Sequence, residues 1–147
     1  MATLSEVMLS EENRPKVLKD CVEILESEVR RKRGVTGMAI KAGFGVLKKV
    51  KPNMVEEAMD SLLDEFVHKL EPLHEEYEKS GRKEPLESFL DHHKERIATA
   101  LLEITDERAQ RSRATLIKST YQKLRPMAAK QIHEALPAVA GLLKKYL

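Results

Sequence analysis

The sequence predicts an all-α protein, a compact single-domain helical bundle of about six to eight helices. Three observations predict it. Apolar residues recur at three- and four-residue spacing along the whole chain and nowhere alternate as in a half-buried strand. The composition is 41% hydrophobic and 34% charged, with three Phe, three Tyr and no Trp, a mix that favours helices over sheets of β-branched and aromatic residues. Glycine and proline punctuate the periodic segments. The 147 residues suit one ordinary domain, 1–147.

Taken in order, the first helix is expected from Ser10, which precedes "EENRP". Acids occupy its first turn, and Pro15 stands early, where the missing N–H has no partner to lose. Val17, Cys21 and Ile24 share a face, and the run continues to Arg33. Gly34 ends it and Thr36 caps the next helix, about residues 37–50, with Ile40, Phe44 and Leu47 on one face and Lys41 and Lys48 on another. Pro52 breaks that helix. From Asn53 a third helix carries Met54, Ala58, Leu62, Phe66 and Leu70 along its buried stripe until Pro72 disturbs its end. The polar "EEYEKSGRKEP" reads as a long connection. A further helical region starts near Pro85 and passes through Phe89, Ile97, Leu101 and Ile104. Two last helices centre on "TLIKSTYQKL" and "MAAKQIHEALPAVAGLLKK", the latter kinked at Pro137.

At an offset of 77 residues, "VEILESEVRRKRGVTGMAIKAGFGVL" meets "TALLEITDERAQRSRATLIKSTYQKL" with six identities in 26 positions. The shared order of helix, turn, basic helix, proline and amphipathic helix supports an internal duplication. It would give two three-helix units, 22–70 and 99–143, about a pseudo-twofold axis. Chance similarity between helices of like composition is the alternative.

A net charge of +2 conceals segregation: eight lysines and arginines and no acid between Arg30 and Val55, then nine acids against two lysines from Glu56 to Lys79. From Arg108 to Leu147 there are nine basic residues and one acid, Glu134. Such blocks pair within a bundle or between subunits, and the basic helix with Lys41 is expected to meet the acidic one with Asp60, Asp64 and Glu65.

The basic stretch "RRKRGVTGMAIKAGFGVLKKVKP" invites sharper readings, and most fail. A P-loop needs G-x-x-x-x-G-K-[ST] after a strand, and neither is present. "GFG" at Gly43–Gly45 lacks the third glycine of a dinucleotide fingerprint, because Lys48 stands there. Ala39, Ala42, Gly43 and Val46 instead make a narrow strip on which another helix can pack closely. Membrane-surface binding is not favoured, because the only aromatic, Phe44, shares the core face and Trp is absent. Nucleic-acid binding is not favoured either, for want of a reading motif or aromatic interleaving. Asp64 with His68, and "DHH" at Asp91–His93, are too scattered for a metal centre, so no metal or cofactor is expected. Cys21, the one cysteine, reads as filler on an apolar face rather than as a nucleophile. No stretch approaches the roughly 20 apolar residues that span a bilayer. The start "MATLSEVMLS" does not read as a signal peptide, so a cytoplasmic protein is expected.

The segments "LSEENRPKV", "GVTGMAIKAGFGVLKKVKP", "SLLDEFVHKLEP", "LLEITDERA" and "YQKLRPMAAKQIHEALP" together resemble an uncharacterised family of small all-helical bacterial proteins, a domain of unknown function. The resemblance covers nearly the whole chain. It implies one cytoplasmic all-α domain and transfers no activity, cofactor or site residue.

The functional expectation is a non-enzymatic protein that works through self-association or a protein partner. The alternative is a module for an anionic ligand, nucleic acid or a lipid headgroup, centred on Lys41, Lys48, Lys49 and Lys118. No catalytic constellation stands out.

Overall fold

The computed structural model describes residues 2–147 and contains, among them, seven α-helices and no strand. They are α1 (Leu4–Met8), α2 (Arg14–Arg31), α3 (Gly34–Val50), α4 (Met54–Lys79), α5 (Leu86–His92), α6 (Lys94–Arg111) and α7 (Thr115–Tyr146).

Several boundaries differ from the sequence reading, each for a local reason. α1 is an addition to it, although its start carries a capping box: the Glu6 N–H donates to the Thr3 hydroxyl at 3.0 Å and the Thr3 N–H to the Glu6 carboxylate at 3.3 Å. α2 begins after Asn13 rather than at Ser10, because the Ser10 hydroxyl accepts from the Asn13 N–H at 3.1 Å and holds a turn there. Gly34, at φ +74°, opens α3 rather than only closing α2, and Thr36 sits within the first turn with no capping role. α4 runs through Pro72 to Lys79, and α7 runs unbroken through Pro126 and Pro137. All three prolines are exposed, so the carbonyls they free reach water and the helices continue. The first half of what read as a long polar connection, Glu75 to Lys79, is therefore helix. The remaining turn, 80–85, reverses through Gly81 at φ +79° and Arg82 at φ 55°, and the buried Tyr77 donates to the Glu84 carbonyl at 2.9 Å.

Because α7 replaces two expected helices, the chain does not divide into two like three-helix units: α2, α3 and α4 of the first expected unit correspond to α6 and α7 alone in the second, 99–143.

The packing is polarised. α1, α5, the starts of α2 and α6, the middle and end of α4 and the end of α7 form one apolar cluster that includes Leu4, Val17, Tyr77, Phe89, Ile97 and Ala140. Elsewhere α2, α3 and α6 each pack on both α4 and α7, yet these two longest helices do not pack closely on each other. The acidic helix α4 is instead clamped from its flanks. Arg14 of α2 reaches Asp60 at 2.7 Å and Asp64 at 3.2 Å, and Arg108 of α6 reaches Glu65 at 2.5 Å. The expected pairing of Lys41 with these carboxylates does not form within the chain: arginines from α2 and α6 already hold them, and Lys41 points to solvent on α3. Exposed pairs of this kind contribute about 0–1 kcal/mol each.

Candidate functional site

A cavity of about 540 Å³ runs through the bundle where α4 and α7 stand apart, and residues of all seven helices line it. α3 lines it with Ile40, Phe44 and Leu47, and α4 lines it with residues from Met54 to Tyr77. α7 contributes Leu124, Ala128, Ile132 and Leu136, among others. The stripe Met54, Leu62, Phe66 and Leu70, which the periodicity marks as core, is part of this wall and only half-buried; the buried Val55, Leu63 and Val67 line it as well. Ala58 is exposed. A close-packed interior leaves few voids larger than a water molecule, so a gap of this size is a feature of the fold.

Polar groups touch the lining in several places; His74, 3.6 Å from Glu71 and 3.5 Å from Glu78, is one, and two others carry networks. On one side the Tyr121 hydroxyl donates to Asp106 at 2.5 Å and lies 2.7 Å from the Thr105 hydroxyl, while Arg125 donates to the same carboxylate at 2.8 Å. The Arg125 hydrogen bond holds Asp106 below the usual carboxylate range, and burial, with the Asp106 contact second, pushes Tyr121 up to about 12. Tyr121 is therefore a neutral hydrogen-bonding group at neutral pH. On the other side Glu28, Lys32 and Gln131 line both this cavity and a polar one of about 530 Å³, which Arg31, Arg33 and Lys130 also border. Lys32 bridges Glu134 at 2.7 Å and Glu28 at 3.4 Å. Glu28 is buried, and its Oε2 has no hydrogen-bond donor among the described residues.

Cys21 also lines the apolar cavity. Burial, and secondarily the Asp20 charge, push its thiol up to about 11, so it stays protonated at neutral pH and is a poor nucleophile.

The lysines read from the sequence lie elsewhere. Lys41, Lys48 and Lys49 are exposed on α3, Lys118 is half-buried in the first turn of α7, and none lines either cavity. Lys48 approaches Glu26 at 3.9 Å. Of the small-residue strip, Gly43 serves close packing: a Cβ there would lie 2.8 Å from Leu124 Cδ1, whereas Ala39 and Ala42 are exposed and Val46 is half-buried.

No helix among the described residues is long and apolar enough to cross a membrane. No curated protein and no solved structure matches the chain. The model of a family of unknown function, DUF6918, matches residues 4–147, nearly the whole sequence, and the chain belongs to that family.

Proposed function

We propose that the protein is a non-enzymatic carrier of one elongated apolar molecule, of the acyl-lipid class, held between α4 and α7. The cavity of about 540 Å³ and its apolar lining carry this reading. The volume falls within the roughly 300–1,000 Å³ of small-molecule sites. Its shape follows the helices: lining residues run along α4 from Met54 to Tyr77, roughly 35 Å at a rise of 1.5 Å per residue. That suits a chain better than a compact ring system. Self-association or a protein partner remains compatible with a carrier. None of the four lysines borders a cavity, so they lend no support to an anion site inside the bundle.

The test begins with protein purified without detergent, extracted into organic solvent and examined by mass spectrometry. Delipidated protein is then titrated with a fluorescent fatty acid. Ala128, half-buried on the α7 wall, is replaced by Trp to fill the space. The expected result is a co-purifying lipid, saturable binding that raises Tm, and an Ala128→Trp variant that binds at least about tenfold more weakly with an unchanged or higher Tm. Absence of saturable binding, together with a Tm lowered by Ala128→Trp as in an overpacked core, would show that the interior is closed and the reading wrong.

A further inference from the structure

α3 is apolar on both faces. Ile40, Phe44 and Leu47 face the cavity, while Val35 is 86% exposed and Met38 72% exposed. Val35, Met38, Ala39, Ala42 and Val46 recur at three- and four-residue steps, so they form one stripe along the helix; all but the half-buried Val46 are exposed. A helix that is hydrophobic all round normally lies in a protein interior or against lipid. Three of the four large exposed hydrophobic residues of the described chain, Val35, Met38 and Val50, belong to this one helix.

The charges around the stripe identify what covers it. Between Arg30 and Val55 there are eight cations and no acid. Arg30, Arg33, Lys41 and Lys49 are exposed and make no ion pair with the described residues. A second copy docked through the same face by a twofold axis would set this all-cationic segment against itself. Nucleic acid would use the cations but leave Val35 and Met38 in water. An anionic bilayer surface satisfies both features: apolar side chains enter the acyl boundary, while Lys and Arg stems extend towards the headgroups.

We propose that the outer face of α3 docks the protein on anionic lipid membranes, with Val35 and Met38 inserted and Arg30, Arg33, Lys41 and Lys49 on the headgroups. α3 is then the shared wall between bilayer and cavity, and its passage of the ligand rests on the carrier reading; the docking itself does not. The helix is suited to yielding. Gly45, where a Cβ would meet nothing, weakens it relative to alanine, and its first residue, Gly34, sits at φ +74°.

Co-sedimentation with vesicles of phosphatidylcholine alone, and of phosphatidylcholine with phosphatidylglycerol, tests the docking. Saturable binding of a fluorescent fatty acid in solution is measured in parallel. The wild type is expected to sediment with the anionic vesicles only, and less so as salt rises. Val35→Asp with Met38→Asp should abolish sedimentation, and Lys41→Glu with Lys49→Glu should weaken it at least about 25-fold, at about fivefold per cation removed. Both variants alter exposed side chains, so their Tm and fatty-acid binding should match the wild type. Sedimentation that is absent from the wild type, equal on neutral vesicles, or unchanged by Val35→Asp with Met38→Asp overturns the proposal. So does a wild-type dimer without vesicle binding that the same variant dissolves, which would give the face to a second copy. Loss of fatty-acid binding by the wild type, with vesicle binding intact, sinks the carrier reading and leaves the docking standing.

Discussion

Two glycines of α3 that look equivalent in the sequence have different neighbours. At Gly37 a Cβ would stand 2.6 Å from the carbonyl carbon of Lys32 and 2.8 Å from its oxygen. Those are backbone atoms at the α2–α3 junction and cannot give way cheaply. At Gly43 the obstacle is Leu124 Cδ1 at 2.8 Å, the far end of a side chain that borders the cavity and has room to turn into it. Gly37→Ala is therefore expected to destabilise by about 1–3 kcal/mol. Gly43→Ala should be close to neutral, because the gain in helix propensity of about 1 kcal/mol offsets the movement of Leu124. Urea unfolding of the two variants checks this, and equal losses would contradict it. The sequence allowed close packing at Gly43 to be anticipated, since a glycine inside a helix calls for a neighbour. It did not reveal Gly37's contact, which depends on how the preceding turn folds back.

Single helices were legible where their breaks are absolute. Gly34 and Pro52 separate α2, α3 and α4 as read, and Ile40, Phe44 and Leu47 do share the inward face. Pro72, Pro126 and Pro137 misled because a proline interrupts a helix only when the freed carbonyl lacks another partner, and the side on which it lies is a tertiary property. The short α1 was readable from its Thr3–Glu6 capping pair, but what holds it was not. Glu71 of α4 accepts from the Leu4 N–H at 2.7 Å and the Ser5 N–H at 2.9 Å, so a carboxylate sits at the helix start. Burial raises the Glu71 pKa, but the hydrogen bonds from Ser5 and Leu4 outweigh it and leave the group below its ordinary value. A carboxylate depressed in the folded state stabilises fully above its unfolded pKa, and that contribution is lost as pH falls through the folded value. His74, 3.6 Å from Glu71 on the same helix, favours the ionised form when protonated. Protection factors of the Leu4–Met8 amides, with the intrinsic pH dependence of exchange divided out, should thus fall in acid. Glu71→Gln should show low protection already at neutral pH, with a loss of about 1–3 kcal/mol for two charge-assisted bonds. Protection that survives in the variant, or that acid leaves unchanged in the wild type, would dismiss Glu71 as the anchor.

At the scale of the molecule, the all-α class and its helical number were legible, while the cavity was not. Periodicity identified Met54, Leu62, Phe66 and Leu70 as facing inwards but carries no information on whether the opposing wall touches them. That separation is set by α2, α3 and α6, which lie between α4 and α7 and fix their spacing. The four lysines were conspicuous as charge yet lie away from the cavities; Lys41, Lys48 and Lys49 do so because α3 turns its apolar residues inwards and outwards and its cations to the flanks.

The spacing of α4 and α7 has a mechanical consequence. Unfolding collapses internal empty space, so a protein that encloses more of it loses more volume and is more easily denatured by hydrostatic pressure. With about 540 Å³ between these helices, the delipidated protein should unfold with a volume change towards the larger end of the usual range of about −20 to −100 mL/mol. Occupying the gap with a fatty acid, or with the indole that Ala128→Trp introduces, should shrink that change at constant temperature, which intrinsic fluorescence under pressure would measure. An unaltered volume change on loading would mean the ligand lies outside the bundle. Compression would thus weigh the interior directly, without reference to what the ligand is.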